Sequence, residues 1–77
     1  MIEQRTIAEV KPNRVIRWPE VQDRVGLSRS HIHALQHRGL FPMQIKLVPG
    51  GRASGFVESE IEEYIQERIK APRWPEA

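Results

Sequence analysis

The chain has 77 residues, no cysteine and a formal net charge of +2 at pH 7. This length allows a single domain and excludes the deep, water-excluding pocket that most enzymes require. The absence of cysteine excludes disulfide bonds, thiol nucleophiles and thiolate metal sites. No apolar stretch approaches the ~20 residues of a membrane-spanning helix, and the first residues lack the apolar core of a signal peptide. We therefore expect a cytoplasmic protein that does not contact a membrane.

Charge is distributed unevenly along the chain. Residues 11–55 carry eight basic and two acidic side chains, a net of +6, whereas residues 56–71 carry five acidic and two basic ones, a net of −3. A basic stretch beside an acidic one predicts one face that binds a polyanion and another face that is turned away from it.

The first 13 residues predict a flexible arm. Their apolar residues follow no period, and Lys11-Pro12-Asn13 is a cluster that interrupts regular structure. Val15 and Ile16 are both β-branched and predict a short strand directly after the arm.

A helix is predicted to open at Trp18-Pro19, because proline suits the first helical position, where its missing N–H would have no partner anyway. Val21 and Val25 are four residues apart and share one face of this helix. Gly26 is expected to end it, since glycine readily takes a positive φ. We expect Trp18 to be a core residue rather than a stacking platform.

A second helix is predicted from about Arg29 to Arg38. Ser28 is a good N-cap, and Gly39 provides the stop. Ile32 and Leu35 point to one side of this helix. Phe41, which follows the stop, is expected to turn towards the core.

The remainder of the chain predicts a hairpin and a third helix. The hairpin strands are residues 44–48 and 54–57, joined by a turn at residues 49–52 that contains two glycines. The third helix runs from about Glu58 to Lys70, and its apolar stripe comprises Ile61, Tyr64, Ile65 and Ile69. We expect its acidic face to be a solvated outer surface. Trp74 is expected to pack back on the domain or to contact a second copy.

Two short helices joined at a glycine predict a helix-turn-helix, whose second helix reads DNA in the major groove. Arginine can bind guanine through two hydrogen bonds, and hydroxyl groups and helix N–H groups hold phosphates. Arg29, Ser30 and His33 are the side chains we expect to contact bases. The full set of predicted DNA-binding residues is Arg17, Ser28, Arg29, Ser30, His31, His33, His37, Arg38, Lys46 and Arg52.

Metal binding and catalysis are weaker interpretations of the same residues. His33 and His37 have the four-residue spacing of two zinc ligands, but a third ligand is missing from the pattern. The chain also lacks an arranged set of nucleophile, base and orienting residue. We therefore expect no metal, no cofactor and no enzymatic activity.

Residues 14–70, approximately, resemble the AlpA family of small phage and prophage regulators. The features that carry the resemblance are the strand at Arg14–Arg17, the helix ending at Gly26, Ser28-Arg29-Ser30, Gly39-Leu40-Phe41-Pro42, Gly51-Arg52 and the closing acidic helix from Glu58. The resemblance implies a mainly α fold with a small β-hairpin, a winged helix-turn-helix related to phage excisionases and to the DNA-binding part of MerR regulators. It places the domain at residues 14–71, between the arm (1–13) and a tail (72–77).

The function expected from residues and resemblance together is sequence-specific binding of double-stranded DNA to regulate transcription in a prophage or mobile element. An excisionase that assists an integrase is the alternative, and a protein-interaction inhibitor is a second one. Integrase and RNA polymerase are accordingly the candidate protein partners. Since a fold this small reads one short half-site, we expect a dimer or several copies on DNA.

Overall fold

Three helices and three short strands follow one another in the computed structural model, which describes residues 13–74. The elements are β1 (Val15–Ile16), α1 (Trp18–Val25), α2 (Arg29–His37), β2 (Ile45–Lys46), β3 (Ser54–Val57) and α3 (Glu58–Lys70). This is the predicted mainly α architecture with a small hairpin, and it is compatible with a winged helix. The predicted arm lies outside the described residues except for Asn13.

The strands form one antiparallel sheet in the order β1-β3-β2. The hairpin is closed by the backbone N–H of Leu47, which donates to the carbonyl of Ala53 over 2.9 Å. β2 is shorter than predicted because Val48 belongs to the turn, where its carbonyl accepts from the N–H of Gly51. The sheet brings β1 and the hairpin together, so the strand that precedes α1 is fixed against the segment that follows α2.

The helix ends follow the predicted local signals. Gly26 ends α1 with a φ of 73°, and its N–H donates to the carbonyl of Gln22. Ser28 is the N-cap of α2, because its Oγ accepts from the backbone N–H of His31 over 3.1 Å. Only Gly26, Leu27 and Ser28 separate the two helices, which is the short turn of a helix-turn-helix.

The core takes one apolar side chain from nearly every element. Its buried members are Ile16, Val21, Ile32, Phe41, Phe56 and Ile61, and Trp18, Val25, Leu27, Leu35, Tyr64 and Ile65 pack around them. Phe41 turns inward as predicted. The predicted stripe of α3 is too long by one residue, because Ile69 is 47% exposed.

A cluster of ion pairs joins α1 to α3. The Arg24 guanidinium donates to carboxylate oxygens of Glu58 at 2.7 Å, Glu20 at 2.8 Å and Glu62 at 3.3 Å. Arg14 also donates to Glu58, over 3.3 Å. The expectation that the acidic face of the third helix is merely solvated is therefore wrong for Glu58 and Glu62. The hydrogen bond to Glu58, followed by that to Glu20, raises the pKa of Arg24.

Within residues 13–74, no helix combines the length and the apolar composition needed to cross a lipid bilayer.

Candidate nucleic-acid interface

One face of α2 is open to solvent along its whole length. Ser30, Ala34 and His37 follow the i, i+4, i+7 spacing of a single helix face, and all three are exposed. Ile32, on the opposite face, is fully buried. The centre of the exposed face therefore contains Ala34, which was not among the predicted binding residues, together with Ser30 and His37, which were.

Arg29 and His33 flank this face on the side of Trp18. The Arg29 Cζ lies 4.5 Å from the centre of the indole ring, and the ring centres of His33 and Trp18 are 5.1 Å apart. Trp18 in turn packs edge-on against buried Phe56, with ring centres 5.0 Å apart. Trp18 is thus a packed, half-buried residue as predicted, but it is also the platform on which Arg29 lies.

His31 and Arg38 flank the face on the other side, and both are exposed. Ser28, at the start of α2, is exposed as well, although its Oγ accepts from the N–H of His31. A serine hydroxyl can donate while it accepts, so the capping bond leaves its proton free for a further acceptor. The first turn of α2 therefore presents a hydroxyl donor and helix N–H groups to an incoming anion.

Gln36 fixes the position of the hairpin against α2. Its Nε2 donates to the carbonyl of Pro42 over 2.9 Å and to the Oε1 of Gln44 over 2.8 Å, just before β2. Its Oε1 lies 3.3 Å from the Nδ1 of His33. Sequence reasoning missed this residue, because nothing in a local pattern marks a glutamine whose partners lie in the next element.

The hairpin carries Lys46 on β2 and Arg52 in the turn, and both are exposed. Arg17 lies just after β1 and packs against Gly55 of β3. If Gly55 carried a Cβ, that atom would be 3.4 Å from the Cδ of Arg17. Gly55 pairs on its other side with Ile45 of β2. The sheet therefore brings Arg17 to the base of the hairpin, although 29 residues separate Arg17 from Lys46 in the sequence.

The electrostatics of this surface are one-sided. Residues 24–57 contain no aspartate or glutamate. Arg14 and Arg24 are held by the carboxylates of Glu20, Glu58 and Glu62. The predicted net of +6 for residues 11–55 therefore overstates the charge available to a ligand. Among the basic side chains of residues 13–55, five have no carboxylate partner in the described part of the chain: Arg17, Arg29, Arg38, Lys46 and Arg52.

Comparison with known proteins bears on the same region. Residues 14–69 match the family described as "Prophage CP4-57 regulatory protein (AlpA)". The chain belongs to the AlpA family. It is also similar to "Uncharacterized protein ORF88" of Enterobacteria phage P4, with 36% identity over 63 residues that cover 82% of this chain and 69% of the phage protein. No solved structure matches the chain.

The AlpA match, which confirms the resemblance, spans every predicted binding residue, since these all lie between Arg17 and Arg52. AlpA is a family of prophage regulatory proteins. The exposed face of α2, the hairpin and the five free cations all fall within the matched region.

The histidines of this AlpA protein do not form a metal centre in the described part of the chain. No group of three or more histidine, cysteine, aspartate or glutamate side chains is close enough there to hold an ion. His33 and His37 are exposed on successive turns of α2, where they are available to an external ligand.

Proposed function

We propose that this AlpA protein is a sequence-specific regulator that binds double-stranded DNA and controls transcription in a prophage or mobile element, without catalytic activity. The observation that carries the proposal is the exposed face of α2, which begins at a capped N-terminus and lies in a stretch free of acidic residues. A single α-helix fits the major groove of B-DNA, which is about 12 Å wide. The proposed DNA-binding unit comprises residues 14–71.

In this proposal α2 enters the major groove and reads bases. Ser30, Ala34 and His37 lie at the centre of its exposed face, where Ala34 can contact a thymine methyl and Ser30 can bond either base edge. Arg29, whose guanidinium lies over the ring of Trp18, binds guanine through two hydrogen bonds, and His33 packs against the same ring. The stack on Trp18 restricts the guanidinium before DNA arrives, which reduces the entropy that binding must overcome.

Phosphate contacts come from both sides of α2. Ser28 and the helix N-terminus hold one phosphate, and Arg38, His31 and the neighbouring backbone lie towards the opposite strand. Lys46 and Arg52 extend the contact along the hairpin, with Arg17 at its base. Four cations that contact phosphates predict a plot of log K against log salt with a slope of about −3.6.

The experiment is selection from a random-sequence DNA library with the purified full chain, followed by fluorescence anisotropy on the selected duplex and on a scrambled duplex. We expect one short consensus, a slope of about −3.6, and a loss of about 0.9 from the magnitude of that slope in Arg52→Ala. Asp23→Ala, on the exposed surface of α1, is the control that removes one charge of opposite sign. The absence of any DNA binding at about 50 mM salt would contradict the proposal and favour the protein-interaction inhibitor.

The same selected sequence separates the two DNA-based functions. A single site beside a promoter supports transcriptional regulation, with RNA polymerase as the protein partner. Several adjacent sites that the protein bends, close to an attachment site, support the excisionase alternative, with an integrase as the partner.

A further inference from the structure

A groove that no residue of α1 lines has an apolar floor and an acidic wall. It has a volume of about 700 Å³ and lies between α3 and residues 39–45. Leu40 and Met43 supply apolar surface that the fold leaves open, and Met43 is 61% exposed. Tyr64 forms the floor beside Phe41. Exposed apolar surface of this kind, rimmed by polar groups, is typical of a protein-binding site.

The wall of the groove is formed by Glu60, Glu63 and Glu67 of α3. All three are exposed, and none has a cationic partner among residues 13–74. Glu63 and Glu67 are four residues apart on the helix, a spacing at which like charges repel. A cationic ligand would relieve this repulsion, whereas Glu58 and Glu62, on the other side of α3, are already paired with Arg24.

The end of α3 and the residues after it combine an exposed aromatic ring with basic side chains. Trp74 is 92% exposed, so the expectation that it packs back on its own domain is wrong. Arg68 and Lys70, in the last turn of α3, and Arg73 precede it in the sequence, and all three are exposed. Residues 71–74, which we name the Trp74 segment, thus present a large aromatic ring with cationic neighbours.

We propose that the Trp74 segment of one copy of this chain docks in the groove of a second copy. The indole of Trp74 covers Leu40, Met43 and Tyr64, and the basic side chains around it lie against Glu60, Glu63 and Glu67. An aromatic side chain of this kind buries about 150–250 Å², and because this is far less than the area of a stable interface, we expect the association to be weak and reversible. Three carboxylates face three cations, so the charges match in number as well as in sign.

The two surfaces differ from each other, so the contact is of the head-to-tail kind. Each copy that joins leaves one groove and one Trp74 segment unoccupied, and the association continues instead of stopping at a symmetric dimer. The contact involves neither the exposed face of α2 nor the hairpin turn, and it therefore forms without DNA.

Sedimentation velocity of the full chain, from micromolar to millimolar concentration and without DNA, tests the proposal. We expect the average mass to rise continuously with concentration. Trp74→Ala and the double variant Glu63→Lys/Glu67→Lys should remain monomeric at all concentrations. Asp23→Lys/Gln66→Lys is the control, because these exposed positions lie outside the groove. It should associate as the unchanged chain does, and thermal unfolding should show that all variants are folded.

A charge exchange gives the decisive result. The Arg73→Glu/Lys70→Glu variant should be monomeric alone, as the Glu63→Lys/Glu67→Lys variant is, and the two should associate when mixed because each groove then meets a segment of opposite charge. A monomeric unchanged chain, a symmetric dimer that survives Trp74→Ala, or a mixture that stays monomeric would overturn the proposal. None of these results would bear on DNA binding, which is measured separately.

Discussion

The guanidinium of Arg29 lies over the indole of Trp18, with its Cζ 4.5 Å from the ring centre. Trp18 in turn packs edge-on against buried Phe56. A side chain at the start of α2 is thereby connected to the core through two aromatic rings. Stacking of this kind suits arginine because its guanidinium is planar and more weakly hydrated than an ammonium group.

Arg29→Ala is expected to weaken binding to the selected DNA by about 1–3 kcal/mol and to relax the preference at one base pair. Arg29→Lys keeps the charge but loses the planar group that both stacks on Trp18 and binds guanine. It should therefore retain binding to scrambled DNA while losing most of the preference. Anisotropy titrations of both variants on selected and scrambled duplexes measure this, and an unchanged preference in Arg29→Lys would show that Arg29 does not read a base.

Ser28 combines a structural and a proposed binding role, and two substitutions separate them. Ser28→Ala removes the cap bond from His31 N–H and should lower the free energy of unfolding by about 1 kcal/mol. Ser28→Asp retains a good N-cap but places a negative charge where a phosphate is proposed to lie. Denaturant unfolding should find Ser28→Asp close to the unchanged chain in stability, whereas DNA titration should find it the weaker binder of the two variants. Equal DNA affinities would argue against a phosphate at this position.

The ion pairs around Arg24 predict a stability effect that salt can suppress. Glu58→Gln removes the negative charge of the carboxylate that is 2.7 Å from Arg24 and should lower the melting temperature at low salt, with a smaller difference at high salt. Glu60→Gln is the matched control, because Glu60 is also in the first turn of α3 and experiences the same helix dipole. If both variants melted at the same temperature, the dipole and not the ion pair would account for the effect.

The pKa of Arg24 determines how the stability contributed by these ion pairs depends on pH. Its carboxylate neighbours raise the pKa of Arg24 above the ordinary value, so the stabilisation is present below that value and is lost only in strongly alkaline solution. Thermal unfolding between about pH 6 and 9 should therefore show a constant difference between the unchanged chain and Glu58→Gln.

Gly55 is required by the close approach of β1 to β3. A Cβ at this position would collide with the Cγ1 of Val15 and would lie 3.1 Å from the carbonyl oxygen of Ile16. Gly55→Ala should therefore destabilise the fold by about 1–3 kcal/mol, as measured by denaturant unfolding. Adding Val15→Ala removes the closest colliding atom and should recover part of the loss. A double variant less stable than the sum of the two single changes would rule out this collision as the cause.

The sequence predicted those parts of the fold that depend on local signals. Gly26 and Ser28 act through their own backbone and side-chain chemistry, so the boundaries of α1 and α2 could be placed within a residue or two. Ile32 and Phe41 were recognised as core residues from their apolar character and position. The predicted binding residues on α2 and the hairpin are exposed, although their role in DNA binding stays a prediction.

Contacts between elements could not be read from local pattern. Arg24 and Glu58 are 34 residues apart and meet only because α1 packs against α3. Gln36 reaches Gln44 only because the chain turns back after Gly39. The stack of Arg29 on Trp18 depends likewise on how α1 and α2 cross. Each of these side chains is hydrophilic or amphipathic and occurs often on protein surfaces, so composition gave no reason to single it out.

β3 ends at Val57, and the same residue is the N-cap of α3. With no linker between them, the hairpin stem cannot swing independently of the helix, and Gln36 holds the other strand against α2. Most of the conformational freedom of the hairpin is therefore lost during folding rather than during binding, and only the turn at residues 48–52 is left to be ordered by a ligand. Rigid stems of this kind lower the entropic penalty of association, so a chain of 77 residues can hold the two elements proposed to contact DNA at a fixed separation.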